Sequence, residues 1–218
     1  ETFNIGFETA QGDYIAIMDD DVEIEGKWTK TLVNRIRSKE EVALVQPRLI
    51  ERYGGEDPIV RYEEDNIEIS GFIGCGVLAE KKALRKSGYY NEEYFLYANE
   101  GELALKMLEN EHKIVTCSEV TTKHKGDPHA LSSAKFFYQT RNGLWTAWRF
   151  QDPYNATVFT ITNFMRGIKR ASKSGFISDV VKGYFSAFRK FPKYFTLQKS
   201  KSADYKHWSA RNIFKSIK

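Results

Sequence analysis

Three consecutive carboxylates, Asp19-Asp20-Asp21, follow directly on the apolar run Tyr14-Ile15-Ala16-Ile17-Met18. Negative charges gathered at the end of a buried segment are costly unless a cation compensates them. Asp19 and Asp21 are two apart, so with Asp20 turned away both can reach one hard cation such as Mg2+ or Mn2+. The alternative is a solvated turn in which an Asp caps the helix that follows. A second carboxylate group, Glu100 and Glu102 in Asn99-Glu100-Gly101-Glu102-Leu103, opens an amphipathic segment. On spacing alone, complementation of the helix dipole accounts for it. His124 stands between a β-type run and Gly126-Asp127-Pro128. A lone histidine at a strand end is an ordinary polar residue, and becomes a metal ligand only if it converges with Asp21.

Two other carboxylate chemistries begin from a residue placed like Asp19. A calcium-binding EF-hand loop starting there needs Gly at its sixth position and Glu at its twelfth. Ile24 and Lys30 occupy those positions. A haloacid-dehalogenase-type phosphatase, with Asp19 as nucleophile, also begins with an apolar strand and Asp-x-Asp. It wants Thr or Val where this chain has Glu23.

The elements that must position these groups alternate between strand and helix, so the class is α/β. Residues 14–18 read as a buried, parallel strand. Trp28, Leu32, Val33 and Ile36 recur at helical spacing. A short strand, Val42 to Val45, is closed by Pro47, and Gly54-Gly55 with Pro58 marks a loop. Ser70 to Glu80 reads as a glycine-interrupted strand, whose Gly71, Gly74 and Gly76 let something approach the backbone. Lys81 to Ser87 is a short helix capped by Gly88. A helix runs from about Glu100 to Glu109, and Lys113 to Cys117 and Val120 to Lys123 are two further strands. Beyond residue 129 strand signals thin out. Phe137 to Trp148, Thr157 to Arg170 and Ile177 to Lys190 carry helical periodicity, and the last ~20 residues are polar and basic, with the composition of a poorly ordered terminus.

Composition is that of a soluble globular protein, with 41% hydrophobic and 28% charged residues. No apolar stretch approaches the ~20 residues of a spanning helix. Cys75 and Cys117 sit in apolar runs and read as buried free thiols, which fits a reducing compartment. The formal charge of +4 hides a division. Residues 1–129 hold 16 Lys/Arg and 26 Asp/Glu, whereas residues 130–218 hold 17 and 3, a net of +14. Two domains are expected: an acidic 1–129 that can hold a cation, and a basic, aromatic-rich helical 130–218. The second either packs on the first with its cations solvated, or attaches to an anionic membrane surface. No nucleic-acid-binding motif is visible, so no nucleic-acid partner is expected.

Taken together, the residues resemble family 2 glycosyltransferases of the GT-A fold. Four blocks carry the resemblance in order. They are Asn4-x-Gly6 through Ala10-x-Gly12-Asp13-Tyr14-Ile15; Asp19-Asp20-Asp21, resembling the DxD motif; Gly71 to Gly76; and Phe95-Leu96-Tyr97 to Leu103 followed by His124-Lys125-Gly126. The similarity covers about residues 3–150, and Tyr138 to Arg149 is similar to bacterial rhamnosyltransferase-like members. The resemblance implies a GT-A-type mixed sheet flanked by helices, with its first strands missing from this chain and a C-terminal helical extension. It implies that Asp19, Asp21 and His124 hold Mn2+ or Mg2+, that Asp19, Asp20 and Asn4 lie on the nucleotide side, and that Gly74, Cys75 and Gly76 face the acceptor. Glu100 would be the general base, with Glu102 as the fallback, because the family's Glu-Asp is here Asn99-Glu100. The implied reaction is inverting transfer from a UDP-, dTDP- or GDP-linked sugar to a saccharide or lipid-linked acceptor, in surface polysaccharide or cell-wall assembly. The implied location is cytoplasmic, peripheral on the inner face of the plasma membrane. The alternatives are a metal-dependent phosphohydrolase and a transferase-like scaffold without chemistry. With half of the nucleotide pocket outside the 218 residues, weak or no turnover is expected of the isolated chain.

Overall fold

The computed structural model describes residues 2–52, 57–127 and 130–194. It divides into two compact units: residues 1–91 with 103–130, and residues 92–102 with 131 onward. The Gly54-Gly55 loop and the last ~20 residues fall outside the described residues.

The first unit is a six-stranded mixed sheet with helices on it. Its strands are β1 (Tyr14–Ile17), β2 (Val22–Ile24), β3 (Val42–Glu51), β4 (Ile59–Arg61), β5 (Val77–Glu80) and β6 (Lys113–His124). They lie in the order β1-β5-β3-β6-β2, with β4 paired to β3. Among the described residues only β3 and β6 run parallel, and every other pairing is antiparallel. Helix α1 (Thr2–Thr9), α2 (Trp28–Arg37), α3 (Lys81–Lys86) and the greater part of α4 (Asn99–Glu109) complete the unit.

Where β5, β3 and β6 lie side by side, their apolar residues point to both sides of the sheet, because both faces are covered there. Leu44, Val77, Ala79 and Ile114 join one core with Phe7, Leu84, Leu103 and Met107. Their neighbours Val45, Leu78 and Val115 join the other, against Trp28, Leu32 and Ile36 of α2. That alternation is the two-residue period of a strand.

Four strand expectations are corrected. Tyr14–Ile17 is not a buried parallel strand: it pairs antiparallel with β5 alone, and Ala16 is exposed. Pro47 does not close its strand, because β3 continues to Glu51. A proline lacks the N–H a ladder needs, and the β3–β6 register shifts between Pro47 and Arg48. The shift also unites the two expected strands into the single β6, where Ser118 to Val120 form an irregularity between Cys117 and Thr121. Of Ser70 to Glu80 only Val77–Glu80 is strand, since Gly76 takes a φ of +91°. Cys75 and Cys117 are free and buried, and burial pushes the Cys117 thiol up.

The second unit packs α5 (Ser133–Phe150), α6 (Pro153–Ser174), α7 (Ile177–Arg189) and α8 (Phe191–Tyr194) around Tyr94, Trp145, Phe159 and Tyr184. Helix α6 starts earlier than its periodicity suggests. The Asp152 carboxylate accepts from the backbone of Tyr154 and Asn155, and Pro153 sits in the first turn. Gly183 lets α7 approach α5, because a Cβ there would lie 2.8 Å from the Phe137 carbonyl oxygen.

Helix α8 is tied down by one carboxylate. Glu93 accepts from the Tyr194 hydroxyl at 2.5 Å and from Lys190 Nζ at 3.0 Å, with Lys193 Nζ at 3.0 Å. The Tyr194 hydroxyl first, then Lys190 and Lys193, hold the Glu93 carboxyl down to about 2 from the ordinary 4.5. A lowered folded-state value means the tie is complete above pH 4.5 and is lost as pH falls through about 2. Tyr194 stacks on Trp145, centroids 4.5 Å apart. Acid titration of tryptophan fluorescence is therefore expected to show a transition in that window that Glu93→Gln removes. The side chain is 31% exposed, so solvent screens much of the effect.

Candidate active site

Strand register decides which side chains meet. β1 ends at Ile17, whose carbonyl accepts from Gly76 N at 2.9 Å. The chain then turns through Asp19-Asp20-Asp21 into β2, which pairs with β6 so that Val22 faces His124. Lys125 N donates to the Asp21 carbonyl at 3.1 Å, locking the turn to the end of β6. On the other side of β6, His124 is the register partner of Glu51.

The imidazole consequently lies among carboxylates. His124 Nε2 is 3.3 Å from Asp21 Oδ1 and 4.0 Å from Asp19 Oδ2. Its Nδ1, buried and without a hydrogen-bond partner, is 4.0 Å from Glu51 Oε1. Glu51 is itself buried and ion-paired to Arg61. Asp19 and Asp21 are partly open to solvent, and Asp20 is exposed. Cys75, expected toward the acceptor, has its sulfur in one cluster with Asp19 and His124, ligand atoms within 4.8 Å of one another.

One glycine keeps the space clear, and another lets the chain pass close to β6. A Cβ on Gly126 would lie 2.6 Å from His124 Nε2 and 3.0 Å from Asp21 Oδ2. A Cβ on Gly76 would lie 2.7 Å from Thr122 Cγ2, and the positive φ already demands glycine. Thr122 in turn accepts from Trp28 Nε1 at 3.1 Å, fixing β6 against α2. The imidazole, the two aspartates and a gap that a methyl group would fill suit a divalent cation. Asp65, Cys117 and Glu119 form another acidic cluster, but Arg35 already bridges its two carboxylates.

Asn4 bonds to the backbone at residue 90. Its side-chain amide donates to the Tyr90 carbonyl at 2.9 Å and accepts from Tyr90 N at 3.0 Å, so it clasps α1 to residue 90. Gly74 is buried, and Ile73 N donates to Gln46 Oε1 at 2.8 Å, anchoring the glycine segment on β3.

The second unit shapes the start of α4. Phe95, Tyr97 and Ala98 all have φ near +60°, a costly conformation for residues with a side chain. One amide holds them there. Asn142 Nδ2 donates to the carbonyls of Tyr94, Leu96 and Tyr97 at 2.8–2.9 Å. Arg141 Nη2 adds bonds to the carbonyls of Glu93 and Tyr94. Glu100, half-buried in the first turn of α4, follows this held loop. Glu102 differs: it is fully buried and takes 2.9 Å from Arg149 Nη1.

Glu51 and the Asn142 clasp were missed by sequence reasoning. Glu51 ends a strand that Pro47 seemed to close, and Asn142 lies in a helix whose periodicity signalled only packing.

Residues 1–92 match the family described as Glycosyl transferase family 2. No curated protein matches the chain in sequence. Among solved structures, GalNAc-T7, determined with UDP, GalNAc and Mn2+, superposes with a TM-score of 0.61 at 12% identity, covering 95% of this chain and 44% of its own. S. aureus TarS superposes with a TM-score of 0.56 at 14% identity, covering 90% and 36%. The chain thus spans less than half the length of these neighbours, and the likeness establishes a shared fold.

Proposed function

We propose that this chain, whose residues 1–92 match the family described as Glycosyl transferase family 2, moves a sugar from a nucleotide-diphosphate donor to an acceptor hydroxyl with inversion. The observation that carries the reading is the meeting of Asp19, Asp21 and His124 at the end of β6. Asp21 and His124 would hold Mn2+ or Mg2+, with Asp19 and Asp20 toward the donor and Gly74-Cys75-Gly76 toward the acceptor. GalNAc-T7 holds UDP and Mn2+, which supports such a donor. When bound, the cation supplies charge neutralisation for the departing nucleoside diphosphate. Glu100 takes the acceptor hydroxyl proton as that oxygen bonds to the anomeric carbon and the bond from carbon to the diphosphate oxygen breaks. Attack on the face opposite the leaving group gives inversion. A role in surface polysaccharide or cell-wall assembly, with a saccharide or lipid-linked acceptor, completes the proposal.

Calorimetry of UDP, dTDP and GDP with and without Mn2+ tests it. Metal-dependent binding that Asp21→Ala abolishes is the expected outcome. Nucleotide binding indifferent to both the metal and Asp21 would overturn the site. Phosphate release from a simple ester would favour a phosphohydrolase, and no binding at all a scaffold.

Glu51 fits the role of orienting His124 from behind, as carboxylates do for metal-bound imidazoles. Glu51→Gln is expected to weaken Mn2+ binding by roughly 10–100-fold. Electron paramagnetic resonance of free Mn2+ reads this directly, and unchanged affinity would leave Glu51 only its Arg61 pair.

A further inference from the structure

Helices α6 and α7 bury one face each within the second unit and leave another bare. Ala156, Phe159 and Ala171 of α6 and Val180, Gly183 and Ala187 of α7 are buried. The helices meet where Phe164 sits edge-on to Tyr184, centroids 5.1 Å apart, and the Tyr184 hydroxyl donates to the Thr160 carbonyl at 2.7 Å. Beside that seam large apolar side chains stand in water. On α6, Tyr154, Ile161 and Met165 are 76%, 56% and 66% exposed, and their spacing of seven and four puts them on one face. On α7, Ile177, Phe185 and Phe188 are 42%, 69% and 51% exposed.

Single exposed apolar residues need no explanation, but a set of this kind rimmed by charge does. The rim here is predominantly positive. Helix α6 carries Arg166, Lys169, Arg170 and Lys173 and no carboxylate. Helix α7 adds Lys182 and Arg189 against Asp179 alone. Among the described residues no helix is long and apolar enough to cross a membrane.

We propose that this face of α6 and α7 docks onto the surface of an anionic bilayer, apolar side chains among the headgroups and cations on the lipid phosphates. A helix with an apolar stripe and a Lys/Arg-rich flank lies in the plane of such an interface. Charge decides against a second copy of the chain, because self-association would set cation against cation. The proposal stands apart from the sugar-transfer reading, which Mn2+-dependent UDP binding tests separately.

Flotation of the full chain with phosphatidylcholine vesicles, with and without phosphatidylglycerol, is the experiment. Recovery with the anionic vesicles and not with the neutral ones is expected, falling as salt rises. The double variant Met165→Glu, Phe185→Glu is expected to lose at least tenfold in vesicle affinity. Lys169→Ala and Lys182→Ala should each lose about fivefold, since one cation near an anionic surface contributes on the order of 1 kcal/mol. These positions are exposed, so thermal melting and UDP binding should be unchanged. Equal recovery on both vesicle types would overturn the proposal, as would undiminished binding by the double variant. So would dimerisation, abolished by the double variant, in a chain that ignores vesicles.

Discussion

In Gly126→Ala the affinity for Mn2+ is expected to fall by about 100-fold, the upper end of what disturbing a ligand's surroundings produces, although no ligand has been removed. The added methyl would stand 2.6 Å from His124 Nε2 and 3.0 Å from Asp21 Oδ2, inside the space an ion shared by the two would fill. Gly126 does not take a positive φ, so alanine costs the backbone little there. The fold should tolerate the change and only the contents of the site should feel it. Titration of free Mn2+ by electron paramagnetic resonance, beside a melting curve of the metal-free protein, separates the two effects. A variant that melts normally and binds Mn2+ as tightly as the parent would mean that the ion, if any, does not lie between Asp21 and His124.

The two glutamates of α4 are expected to fail differently. Glu100→Gln should lower whatever transfer rate the parent shows by roughly 10²–10⁴-fold, the usual contribution of a general base, with UDP binding and melting temperature unmoved. Glu102 is fully buried and its partner Arg149 is 35% exposed. Glu102→Ala removes the carboxylate from a buried pair, which costs about 3 kcal/mol at the lower end of such cases, because Arg149 regains water. That corresponds to a loss of roughly 6–12 °C for a chain of this size. Stopped-assay kinetics and differential scanning calorimetry on both variants give the four numbers needed. The reverse pattern, with Glu100→Gln fully active and a Glu102 variant stable but inert, would transfer the base to Glu102.

The legible part of this molecule was local. The run before Asp19, the helical spacing of Trp28, Leu32 and Ile36, and the Gly88 end of α3 are written in neighbouring residues, and the structure shows them. What was illegible depends on pairing. Tyr14–Ile17 is as apolar as a central parallel strand, yet it pairs antiparallel with a single neighbour, because side-chain composition does not say which strand lies alongside. Pro47 and Ser118-Glu119 look like ends, and become irregularities only because β3 and β6 run side by side. The same pairing brings Glu51 to His124, 73 residues apart, and no local pattern announces it. Glu102 was paired with Glu100 by its place in one turn, and only tertiary contact with Arg149 tells them apart. Asn4 is similar: the family resemblance implied the nucleotide side, and only the fold shows its bonds to Tyr90.

His124 is flanked by Lys123 and Lys125, and its partners on both sides are set by ladder position. Sliding β6 by one residue would turn the imidazole to the opposite side of the sheet and bring an ammonium group to Asp21 in its place. If the proposed cation site holds, cation uptake would then vanish while the secondary structure looked unchanged. Manganese titration would in that case assay correct strand alignment in refolded protein, sensitive to an error that circular dichroism would pass.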